Sequence, residues 1–114
     1  MRLPLSRDDQ VLLREVAAYQ ARRMGDPRDV ATLGEVEDGL DALLLGRAPV
    51  AGVLELGPRQ AEVLGTALAS YVEMLRAPGS DASNRARITR LQHVGRRLRS
   101  RAGLIGRLFG WLIG

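Results

Sequence analysis

Gly57-Pro58-Arg59-Gln60-Ala61-Glu62-Val63-Leu64-Gly65-Thr66-Ala67-Leu68-Ala69-Ser70-Tyr71-Val72-Glu73-Met74-Leu75 decides the fold class. Gly57-Pro58 is an N-cap followed by the first helical position, where proline's missing N–H costs nothing. Ala61, Leu64, Leu68, Tyr71, Val72 and Leu75 then fall on one helical face, the stripe of a helix that buries one side. The same pattern recurs on both sides of this stretch.

Upstream, Ser6 stands three residues before Asp9 as an acidic capping box, and Val11, Leu12, Val16 and Tyr19 follow at helical spacing. This predicts a first helix from Arg7 to Met24, stopped by Gly25-Asp26-Pro27. A second helix is expected from Asp29, with Leu33, Val36, Leu40, Leu43 and Leu44 as its apolar face and Gly46 as its end. Gly34 and Gly39 each weaken it by about 0.8–1 kcal/mol relative to alanine. Between the helix pairs, Val53-Leu54-Glu55-Leu56 alternates as a short strand does. Downstream, residues 77–84 are small, polar and proline-broken and read as a flexible linker. A fourth helix occupies residues 85–114, so the expected organisation is a helical body over 1–76, the linker, and a C-terminal helix.

The two halves resemble each other. Leu3-x-Leu5-Ser6 matches Leu54-x-Leu56-Gly57, and Val11-Leu12, Val16 and Tyr19 match Val63-Leu64, Leu68 and Tyr71 after a one-residue gap. Leu33, Val36 and Leu43 correspond to Ile88, Leu91 and Leu98. The expected fold is therefore all-α, two tandem helical hairpins forming a four-helix, bundle-like unit, with the two Leu-x-Leu segments pairing as a minor β ladder.

Composition agrees with this architecture. A chain of 114 residues holds one core, and with four aromatics that core is built of Leu, Val and Ala, which favours packed helices. Absence of cysteine excludes disulfides and thiolate metal sites and suits a reducing cytoplasm. The opening residues contain no apolar run of leader length, and no stretch reaches the roughly 18–20 apolar residues a spanning helix needs. The expected location is cytoplasmic, with peripheral attachment to the inner face of the membrane.

Charge is divided along the chain. Up to Ser83 the sequence holds nine arginines against thirteen acidic residues, whereas Arg85, Arg87, Arg90, Arg96, Arg97, Arg99, Arg101 and Arg107 follow with no acid after Asp81. The basic run leads into Leu104, Ile105, Leu108, Phe109, Trp111, Leu112 and Ile113, so one helix is both cationic and apolar, a surface-active or partner-seeking pattern. Gly103, Gly106, Gly110 and Gly114 cost this segment about 3–4 kcal/mol of helix propensity. Burial of its seven large apolar side chains, at about 1.5–3 kcal/mol each, compensates where an apolar surface exists.

The tail either packs on the chain's own body and completes the bundle, or docks on one of three other surfaces: an anionic membrane, a protein partner, or a second copy for which the apolar segment is the interface. The Arg85–Arg101 face is also an alternative site for nucleic acid, although no helix-turn-helix pattern, zinc spacing or aromatic platform accompanies it. Glu35, Glu37, Asp38 and Asp41 form an acidic counter-face on the second helix, expected to lie beside the basic helix within or between subunits. No nucleophile elbow, phosphate loop or metal-ligand spacing is present, so no enzyme, cofactor, metal or small-molecule substrate is expected.

Overall fold

A computed structural model describes the backbone of residues 1–77 and 81–113, and the side chains of 1–77 and 81–100. The element order is β1 (Arg2–Pro4), α1 (Arg7–Ala21), α2 (Pro27–Leu44), β2 (Val53–Glu55), α3 (Pro58–Leu75) and α4 (Ala82–Ile113). The fold is all-α and bundle-like, with one very small sheet.

Each helix begins where a local signal tells it to. Ser6 accepts a hydrogen bond from the Asp9 N–H at 3.2 Å at the start of α1, and Asp26 accepts from the Arg28 N–H at 2.9 Å at the start of α2. At α3 the Gly57 N–H donates to Gln60 Oε1 at 3.0 Å, and at α4 the Asn84 N–H donates to Asp81 Oδ1 at 2.9 Å. Because Asp26 is itself a cap and Pro27 suits the first turn, α2 starts two residues before the expected Asp29, and α1 ends at Ala21 rather than Met24. Helix α4 likewise begins at Ala82, inside the stretch read as a linker. Of that linker, residues 78–80 lie outside the described residues.

The two Leu-x-Leu segments do pair. Strands β1 and β2 are antiparallel, with Arg2 opposite Glu55, Leu3 opposite Leu54 and Pro4 opposite Val53. The Leu5 N–H donating to Gly52 O at 2.8 Å and the Leu56 N–H donating to Met1 O at 2.9 Å extend this ladder at both ends. Gly46 and Gly52 have φ of +70° and +72°, so the loop between the hairpins turns at two positions where a side chain would be strained.

Packing corrects the match between the halves. The buried residues of α1 are Gln10, Leu12, Leu13, Val16, Ala17 and Gln20, and those of α3 begin Ala61, Val63, Leu64, Ala67, Leu68 and Tyr71. These sets superimpose on the offset that pairs Leu3 with Leu54 and Ser6 with Gly57, without the one-residue gap. Val11, expected on the buried face, is 46% exposed because it shares its position with the solvent-facing Glu62. In α4 the buried Leu91, Val94 and Leu98 repeat the spacing of Leu33, Val36 and Leu40, a helical turn beyond the match through Ile88.

One core joins all six elements. Leu3, Leu13, Val16, Leu33, Val36, Leu40, Leu64, Leu91, Val94 and Leu98 are its largest fully buried side chains. Helix α1 packs on α2, α3 on α4, and α2 on α3 and β2, while α1 touches α4 along a shorter seam. The first half of α4 is thus part of the body.

Candidate interaction surface

Leu91, Val94 and Leu98 fix the rotation of α4, and with it the direction of each described arginine. Arg90 reaches α1, with Nη1 at 3.4 Å from Asp8 and 3.7 Å from Asp9. Arg97 donates to the Pro4 carbonyl at 2.7 Å and ties α4 to β1. Arg96 and Arg99 turn back on their own helix, donating to the carbonyls of Gln92 and Gly95 at 3.4 and 3.3 Å. Among the described residues, Arg85, Arg87, Arg96, Arg97 and Arg99 have no carboxylate within ion-pair distance.

Among the described residues, Glu35, Glu37, Asp38 and Asp41 do not meet these cations. Arg14 of α1 occupies the seam between α1 and α2, with Nη1 at 3.0 Å from Glu37 and Nε at 2.6 Å from Asp41. Hydrogen bonding to Asp41 holds this guanidinium above its ordinary value; burial opposes it, and the charges of Glu37, Asp41 and Asp38 reinforce it. Glu35 instead accepts from Gln60 at 2.8 Å, and Asp29 pairs with Arg59. Asp38 is exposed and has no ion pair among the described residues. The expectation that the acidic and basic helices lie side by side inside the molecule is therefore corrected, because α1 and α3 supply the cations that α2 uses.

The hairpins differ at their seams. Between α3 and α4 runs an open groove of about 530 Å³ with Leu68, Val72, Leu91 and Leu98 as its floor. Gly65 and Gly95 line it, and its charged residues are Arg99, Arg76, Glu62 and Glu73; Glu73 pairs with Arg76 and Glu62 with Arg59, which leaves Arg99 without a carboxylate among the described residues. Nothing in the sequence reading singled out Arg14, Gly65 or Gly95. Only the matched burial of the two halves reveals that Gly65 holds the place of Arg14, and Gly95 that of Glu37.

Between α1 and α3, Tyr19 and Tyr71 meet edge to face with ring centroids 5.4 Å apart, and Arg23 lies 4.3 Å from the centroid of the Tyr19 ring. Burial pushes the Tyr71 phenol up, Glu15 reinforces the shift, Arg87 opposes it, and Tyr19 adds to it.

The α4 backbone is helical through Ile113, 32 residues against 18 in α3. The side chains of Arg101, Leu104, Ile105, Leu108, Phe109, Trp111, Leu112 and Ile113 lie outside the described set. Among the described residues no helix is long and apolar enough to cross a membrane. No family model, curated protein or solved structure matches this chain.

Proposed function

We propose that this is a small, non-enzymatic interaction protein whose α4 docks on an anionic membrane surface, lying peripherally at the cytoplasmic face. The observation that carries the reading is the division of charge in three dimensions. Asp29, Glu37 and Asp41 on α2 are held by Arg14 and Arg59, and Arg85, Arg87, Arg96 and Arg99 on α4 have no carboxylate partners among the described residues. Guanidinium groups near an anionic leaflet are worth about 1 kcal/mol each, a contribution that salt weakens. The same helix continues into the sequence Leu104 to Ile113, whose apolar residues supply the second signal that stable peripheral attachment needs.

Flotation of the full chain with phosphatidylcholine vesicles, with and without phosphatidylserine, tests the reading at low and moderate salt. Binding is expected only with the anionic lipid, and Trp111→Asp is expected to abolish it. Failure to float with anionic vesicles at low salt overturns it. Nucleic acid is the second reading, favoured by the same unpaired arginines on the solvent side of α4. It predicts the opposite ranking: Arg96→Glu with Arg99→Glu abolishes salt-sensitive DNA binding, while Trp111→Asp leaves it nearly intact.

A further inference from the structure

The groove between α3 and α4 is the open counterpart of a seam that the other hairpin fills. On the offset that pairs Leu3 with Leu54, Gly65 stands in α3 where Arg14 stands in α1. On the spacing shared by Leu33, Val36, Leu40 and Leu91, Val94, Leu98, Gly95 stands where Glu37 stands and Arg99 where Asp41 stands. Two filling side chains are thus glycine, and the charge beside them is reversed. The floor side chains are already 7% exposed or less, so what an occupant can add is bulk in the space beside Gly65 and Gly95 and a carboxylate for Arg99.

The outer face of α2 carries that chemistry. Gly34, Asp38, Ala42 and the C-cap Leu45 recur at helical spacing. A Cβ on Gly34 would meet nothing within 4 Å, Asp38 is exposed and without an ion pair among the described residues, and Leu45 is 66% exposed. Small residues allow close approach of the backbone, and the Asp38-to-Leu45 separation equals that of Gly65 and Val72. An α2 laid parallel to α3 with Asp38 over Gly65 and Arg99 therefore brings Leu45 over Val72 and Leu91, about 10 Å along the groove.

We infer that α2 of a second copy seats in the α3/α4 groove, Asp38 pairing with Arg99 and Leu45 covering the apolar floor. Groove and inserted helix are different surfaces, so the contact is heterologous and propagates as a ring or an open chain. It uses no residue of the Leu104–Ile113 segment and shares only Arg99 with the membrane reading.

Light scattering of the full chain over a range of concentration and salt tests it. Average mass should rise with concentration and fall with salt. Asp38→Arg and Arg99→Asp should each weaken self-association by about tenfold or more, because each sets like charges against one another. An equimolar mixture of the two variants should associate again to within about threefold of the parent, since each then offers the other's complement. Gly65→Arg, which fills the groove as Arg14 fills its seam, should be monomeric while keeping the parent's circular dichroism. A parent that stays monomeric at every concentration, or association indifferent to these charges and to Gly65→Arg, overturns the inference; the groove then belongs to a foreign helix or the association to the apolar tail.

Discussion

Gly65 occupies in α3 the position that Arg14 occupies in α1, and this exchange leaves one hairpin seam filled and the other open. Around Arg14, two carboxylates from successive turns of α2 meet one guanidinium, with side-chain exposures of 31% for Arg14, 20% for Glu37 and 45% for Asp41. Such a partly buried triad is stronger than a surface pair but remains screened by solvent.

Arg14→Ala should destabilise the fold by about 1 kcal/mol, since it removes a bridging cation and leaves Glu37 and Asp41 facing each other. Urea denaturation measures it. Asp41→Asn in the Arg14→Ala background should then cost less than in the parent, and equal costs in the two backgrounds would show that the pair is uncoupled.

The ladder pair Leu3 and Leu54 is nearly inaccessible to solvent, at 0% and 2%. Leu3→Ala or Leu54→Ala should each cost about 2–5 kcal/mol in urea denaturation. A loss below about 1 kcal/mol would mean that the small sheet is an ornament on the bundle rather than part of its core.

Two glycines of α2 should answer differently to alanine. Gly34 has open space, so Gly34→Ala should stabilise by about 0.8–1 kcal/mol, the full propensity gain. A Cβ on Gly39 would stand 3.1 Å from Leu54 Cδ1, so Gly39→Ala should gain less or lose. Thermal melts of the two variants side by side decide this, with the order Gly34→Ala above Gly39→Ala as the expected outcome.

Burial raises the Tyr71 phenol above its ordinary value of 10.0, which favours the protonated form in the folded state. The sign follows: below the unfolded value both states are protonated and the contribution is whole, and as pH rises through the folded value it is lost. Above about pH 10 the parent should therefore lose stability more steeply than Tyr71→Phe, which has no phenol to ionise at that position. Parallel slopes in urea denaturation across that window would refute this.

The local structure was legible in the sequence because its causes are local. Gly57-Pro58 and Ser6 act on the next few residues, helical spacing needs only one side buried, and the alternation of Leu3 with Leu5 and Leu54 with Leu56 was enough to anticipate two short strands that pair. Val11 was misplaced because Leu12 lies on either of two overlapping faces, and only α2, α3 and the ladder determine which of them is covered.

By itself, then, the sequence determined four helices, the starts of α1 and α3, the pairing Leu-x-Leu segments and the surplus of arginine on the last helix. Tertiary structure decided which charges meet: Arg14 with Glu37 and Asp41, Arg90 with Asp8 and Asp9, and Arg99 with none of the described carboxylates. It also decided that the seam at Gly65 and Gly95 stays open. The physical reason is range. Caps and periodicity act within a few residues of chain, whereas an ion pair or a groove exists only after packing has set which helix faces which.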